Sequence, residues 1–299
     1  MKVVIAPDSF KETLRAADVA SALAAGVLDA CPDARIDLCP MADGGEGTVE
    51  AMVAATGGKL LTTDTFDPLG APIRAHFGLL GGAAGAGLPG ELGLAGAMAH
   101  GDELDGPFVE GRVAVIEMAA ASGLALVRPD LRDPLRSTTF GTGKLIQAAL
   151  DAGAREILLG IGGSATVDGG CGCAQALGVT FLNRAGEPCI CGLAGGGLPD
   201  IDRIDLSDRD ARIAATKIRV ACDVTNPLTG PQGAARVYAP QKGATPEVVE
   251  QLEAGLRHLA AVIRRSLAVD VEPLAGAGAA GGLGGGLVGN FGTPPPAKY

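Results

Sequence analysis

The chain has 299 residues, of which 47% are hydrophobic and 19% charged, and its formal net charge is −10. That length and apolar content suit one large domain or two with a substantial core. The acidic balance, with no basic cluster anywhere, argues against nucleic acid or an anionic membrane surface as a partner. Seven cysteines, an odd number in a long chain, read as reduced cytoplasmic thiols rather than a disulfide framework. The Cys171-Gly172-Cys173 and Cys189-Ile190-Cys191 pairs are spaced more tightly than zinc pairs require.

In chain order, Val3–Ala6 reads as a buried strand stopped by Pro7 and followed by Asp8, Ser9, Phe10 and Lys11. Only Lys2 and this short apolar run precede Pro7, too little for a signal-peptide core. A helix is expected from about Ala16 to Cys31, with Val19, Leu23 and Val27 four residues apart. Polar residues between a strand and a helix sit where open α/β sheets bind ligands, although Asp8 and Ser9 alone would equally shape a turn. Ile36–Cys39 repeats the pattern, followed by Asp43-Gly44-Gly45-Glu46-Gly47 and a helix through Ala55. Two carboxylates among glycines suit acid/base chemistry or Mg²⁺ binding.

Strands are expected at Leu60–Thr65 and Pro72–Leu80 around the turn Asp67-Pro68-Leu69-Gly70. Residues 81–111 are rich in Gly and Ala and read as a mobile insertion at a hairpin tip. Val113–Glu117 is another buried strand. Ser137–Lys144 then opens a helix reaching about Ala152, but Thr138 and Leu145 stand where a P-loop needs Gly and Ser or Thr.

Ile157-Leu158-Leu159 forms the next strand and runs straight into Gly160-Ile161-Gly162-Gly163-Ser164-Ala165-Thr166-Val167-Asp168. Glycines at a strand's carboxyl end let the backbone approach a ligand, and successive N–H groups form a concave anion site. Ser164 and Thr166 add hydroxyl donors, and Asp168 adds a carboxylate for a proton or for Mg²⁺. Beyond it come a short helix near Ala174–Leu177, a strand at Val179–Leu182, an irregular Gly192–Pro199 and a strand at Ile218–Cys222. Thr245 caps a helix that opens with Pro246 and carries an apolar stripe from Val249 to Leu267, with His258 as a surface residue on it. Pro273–Ala297 is uncharged but too rich in Gly and Pro for a membrane span.

Several of these segments, in order, resemble the glycerate kinase family of the type that includes bacterial glycerate 2-kinases. They are Ala6–Lys11, Ala42–Thr48, Glu117–Leu124, Gly160–Thr166, Ala221–Leu228, Pro240–Ala244 and Ala275–Gly282. The resemblance implies an α/β fold of two α/β domains. One is Rossmann-like and built from the chain ends, residues 1–62 and 275–299; the other, residues 63–274, is inserted. It implies ATP-dependent phosphorylation of D-glycerate with Mg²⁺, 2-phosphoglycerate being the favoured product, by a cytoplasmic enzyme without nucleic-acid or membrane partners.

On that basis Asp43, Asp168 and Lys11 are the expected catalytic residues. Asp43 or Asp168 would take the hydroxyl proton or hold Mg²⁺, and Lys11 or Lys242 would neutralise anionic oxygens. Asp8, Ser9, Gly44, Gly45, Glu46, Gly162, Gly163, Ser164, Thr166 and Lys242 are the expected substrate- and phosphate-binding residues. Val167, Lys144 and Arg15 depart from the family pattern. So does the end of the chain after Gly286, which reads as a truncated Rossmann-like domain and raises the alternative of a catalytically inactive remnant. Gly160, Gly162 and Ala165 also satisfy a loose dinucleotide-binding pattern, but Asn183 stands where that pattern needs an acid.

Overall fold

The computed structural model describes residues 1–8, 10, 13–14, 16–39, 41, 47–81 and 113–296. Strand β1 (Lys2–Ile5), helix α1 (Ala16–Ala30) and β2 (Arg35–Leu38) make a βαβ unit, with β1 and β2 parallel and Ile5 opposite Leu38. The Cys39 N–H donates to the Ile5 carbonyl and the Met41 N–H to that of Pro7. The two carboxyl ends therefore stay together beyond the strands themselves, bringing the residues around Asp8 beside those that lead to Asp43.

Helix α2 (Thr48–Thr56) passes from this unit onto a five-stranded mixed sheet. That sheet runs β3 (Lys59–Phe66), β4 (Pro72–Leu79), β5 (Val113–Glu117), β6 (Glu156–Gly160), β9 (Lys217–Ala221). The first three strands pair antiparallel and the last three parallel. The expected boundary at residues 62 and 63 falls inside β3. The expected insertion lies outside the described residues apart from Gly81, and its flanking strands β4 and β5 are antiparallel neighbours.

One face of the sheet, from Ala114, Ile116, Ile157, Leu159, Ile218 and Val220, packs on helices α4 (Phe140–Asp151), α5 (Cys171–Ala176) and α8 (Ala279–Phe291). The other face meets α2 through Val49, Val115 and Leu80. A second core gathers under helix α7 (Pro246–Leu267), where Leu252, Leu256, Leu259 and Ile263 pack on Phe181 and Ile204. The last two belong to the antiparallel pair β7 (Thr180–Leu182) and β8 (Arg203–Asp205). Thr245 caps α7 as expected, its hydroxyl accepting from the Val248 N–H. His258 is half-buried rather than fully exposed, with its ring against the Ile201 carbonyl.

The glycine-rich segment after Pro273 differs most from expectation. The structure makes α8 of it, with Leu283 and Leu287 in the main core and Val288 in the second. Its described part thus packs with the larger unit, whereas the expectation grouped it with residues 1–62. The chain enters α8 through left-handed Ala280, Gly281 and Gly282. A Cβ on Gly281 would collide with the Thr166 carbonyl oxygen, and one on Gly286 with that of Gly169. The Gly169 N–H donates to the Gly281 carbonyl. Backbone lies directly on backbone there, which only glycine permits.

Gly286→Ala should therefore lower unfolding stability by about 1–3 kcal/mol through overpacking. Gly26→Ala, at an exposed position of α1 with open space around the new methyl, should raise it by about 0.5–1 kcal/mol. Urea unfolding of the two variants measures both, and equal effects would refute the packing account.

Candidate active site

The carboxyl ends of the parallel strands β5, β6 and β9 lie side by side, with Glu117 opposite Gly160 and Gly160 opposite Ala221. Loops leaving such an edge are where open α/β sheets place their ligands. The loop after β6 is the glycine loop. The Met118 N–H donates to the Gly160 carbonyl and the Ile161 N–H to that of Ala221, which carries the sheet register one residue past the strands. The loop then folds against the turn at Ser122–Leu124: the Leu124 N–H donates to the Gly163 carbonyl and the Ala165 N–H to the Ser122 carbonyl.

Only the tip of this loop meets solvent. Gly162 is half-buried and Gly163 exposed, whereas Thr166 and Asp168 are fully buried. Gly163 takes a left-handed φ of 71°, which turns the chain at the tip. Among the described residues, no partner takes the Gly162 or Gly163 N–H groups. Ser164, next in the chain, is 8% exposed.

Two buried charged groups hold the tip in place. Lys242, in a 3₁₀ turn at Pro240–Lys242, is 2% exposed. Its Nζ donates to the Ser164 Oγ and the Thr166 carbonyl, both at 2.7 Å. Burial pulls its pKa down to about 7, against the opposing charge of Asp168. Asp168 accepts four hydrogen bonds. Thr139 gives its N–H and its hydroxyl to Oδ2, both at 2.7 Å, the Gly172 N–H reaches Oδ2 at 3.2 Å, and the Gly170 N–H reaches Oδ1 at 3.1 Å. Burial raises its pKa, but all four of these partners are donors, so the ionised carboxylate is the form that fits.

Asp168 is fully buried, and its oxygens face N–H and O–H donors. It ties the N-termini of α4 and α5 to the glycine loop. Those are the two helix ends that a phosphate or a dinucleotide would otherwise seek, so neither a P-loop nor a Rossmann-type phosphate site forms there. Thr166 also points inward. Its hydroxyl has no partner among the described residues, and its carbonyl is what the loop uses.

Of the other expected site residues, Asp8 is exposed just beyond β1. Ser9, Lys11, Asp43, Gly44, Gly45 and Glu46 lie outside the described residues.

The sequence reading did not single out Glu117 as a site residue. It ends β5 beside Gly160, and its Oε1 accepts the Val49 N–H at 2.9 Å, joining the sheet edge to the start of α2. Helix α2 follows the Asp43–Glu46 segment directly. Beside it, the His76 Nε2 meets the Glu50 Oε1 at 3.1 Å. An acid at the last position of a buried strand was the available signal.

A family model described as the glycerate kinase family matches residues 3–294. The chain belongs to the glycerate kinase family. It is similar to the glycerate kinase of Haemophilus influenzae, 47% identical over 288 residues that cover 96% of this chain and 68% of the relative. It is also similar to the glycerate 2-kinase of Escherichia coli strain K12, 46% identical over 293 residues, 98% of this chain and 69% of that one. A crystal structure from Salmonella typhimurium LT2, of a protein assigned as glycerate kinase 2, superposes with a TM-score of 0.80 at 48% identity. That match covers 98% of this chain and 70% of the other. Membership of this kinase family sets aside the oxidoreductase alternative.

In this family member Asp168→Asn should cost about 3 kcal/mol, because an amide group would face N–H donors in a buried site. Denaturant unfolding measures the loss, and an unchanged midpoint would refute the positioning role. Glu117 gives a second expectation. Burial pushes its carboxyl from 4.5 up to about 7, opposed by the Val49 N–H. Between those values the folded state holds more protons than the unfolded chain, so Glu117 lowers stability as pH rises through that window. Glu117→Gln should flatten this part of the dependence, as read from urea unfolding at pH 5 and pH 8; parallel curves for both proteins would overturn it.

Proposed function

We propose that this chain carries ATP-dependent phosphorylation of D-glycerate, with 2-phosphoglycerate the favoured product. The observation that carries the reading is the tip of the glycine loop. A glycine loop whose Gly162 and Gly163 N–H groups have no partner among the described residues leaves the carboxyl end of a parallel strand, and a buried lysine holds its Ser164 from within. Phosphoryl transfer needs such positioned donors, since charge stabilisation and alignment do most of the work. A hydroxyl oxygen of D-glycerate would bond to the γ-phosphorus as the bond from that phosphorus to the β-bridging oxygen breaks, and ADP would leave.

Asp43 is the carboxylate we assign to the hydroxyl proton or to Mg²⁺, since Asp168 is committed to its internal donors. Mg²⁺ bound with ATP would neutralise phosphate charge, and Lys11 is assigned to anionic oxygens. Asp8, Ser9 and the Gly44–Glu46 segment are assigned to the substrate side, which the shared carboxyl edge of β1 and β2 supports through Asp8. Seven unpaired cysteines support a cytoplasmic setting. Among the described residues, no helix is long and apolar enough to cross a membrane.

A coupled assay of ADP release with D-glycerate and MgATP tests this. Turnover is expected, with Asp43→Asn lowering kcat by about 100-fold or more. A folded protein without turnover at saturating substrates overturns the proposal, and a fully active Asp43→Asn overturns the role of that carboxylate.

A further inference from the structure

Beneath the loop tip, the direction of one hydroxyl is decided by one amine. The Thr166 carbonyl can only accept, so Lys242 must donate one N–H to it. The remaining face of the amine meets the Ser164 Oγ at 2.7 Å. A charged ammonium donates to that oxygen, and the serine proton then has to point elsewhere. Among the described residues no acceptor takes it, and Ser164, 8% exposed, directly follows the exposed Gly163 in the chain. A neutral amine has a lone pair that can accept the serine proton, which turns the free oxygen lone pairs away from the amine instead. The same two residues therefore present a donor or an acceptor to a ligand, according to one proton.

We propose that Lys242 is a positioning residue that sets the polarity of the Ser164 hydroxyl, holding its proton outward as a donor to an anionic oxygen of the bound ligand. The inference rests on the anion-binding role proposed above for the loop. The burial that draws Lys242 down to about 7 puts the reversal within the working range of the protein. Asp168 is the charged group acting on Lys242 from the loop side, and its ionised form favours the ammonium. The Arg132 backbone abuts Gly243, next to the lysine.

The experiment compares wild type with Ser164→Ala by isothermal titration calorimetry at pH 6.0 and pH 8.5, using ATP and D-glycerate separately as probes. Taking the ratio of the two Kd values at each pH cancels any titration of the probe itself. For whichever anion meets Ser164, the alanine variant should bind about tenfold more weakly at pH 6.0, the loss of a charge-assisted hydrogen bond. At pH 8.5 the two proteins should agree within about twofold. Ser164→Thr, which keeps the hydroxyl, should track wild type at both pH values. If Ser164→Ala does not fold, Ser164→Gly removes the same hydroxyl from a loop already built of glycines. A ratio near one at both pH values for both probes, or one that does not change with pH, overturns the inference and leaves the kinase reading standing. Failure of wild type to bind either probe at any pH overturns both.

Discussion

The contact between the glycine loop and α8 constrains everything above it. Gly281 and Gly286 lie so close to the carbonyl oxygens of Thr166 and Gly169 that no side chain fits between them. Once the backbones touch, the buried half of the loop has one position. Asp168 then fixes it to the starts of α4 and α5, and Lys242 fixes it from the opposite side. A loop that would otherwise lose much conformational freedom on binding has already lost it on folding. The exposed tip is rigid because what lies beneath it is closely packed.

The arrangement also divides the labour between two kinds of charged residue. Asp168 and Lys242 are both buried, at 0% and 2% exposure. The residues that do reach the surface at the tip, Gly162 and Gly163, carry no charge. Separating charge from the exposed tip lets the buried pair hold the loop geometry from within. Glu117 works similarly at the neighbouring strand end, where its carboxylate accepts from the start of α2 and links the small βαβ unit to the large sheet.

Much of this fold was legible in the sequence because its signals were local. Val113–Glu117, the turn at Asp67–Gly70 and the Thr245-Pro246 start of α7 follow from apolar runs, turn residues and a cap. The glycine loop was legible as a loop leaving a strand's carboxyl end for the same reason. The division of its residues into an exposed tip and a buried root was not. Thr166 and Asp168 have the same chemistry as surface donors and acids, and only the long-range contacts with Thr139 and Lys242 turn them inward. Helix α8 was illegible for a different reason. Its glycines argue against a helix by propensity, and they are present because a neighbouring backbone occupies the space a side chain would need.

Keeping Lys242 beneath the loop also bears on how ligands arrive. The chain carries a net charge of −10, so an approaching anion meets repulsion at long range. A lysine that is 2% exposed and beside an ionised aspartate projects little compensating field into solvent. Electrostatic steering is therefore weak here, and encounter is left to diffusion. What attraction the loop offers acts only once the anion has reached the tip, so selectivity is expressed in how long a ligand stays rather than in how fast it comes.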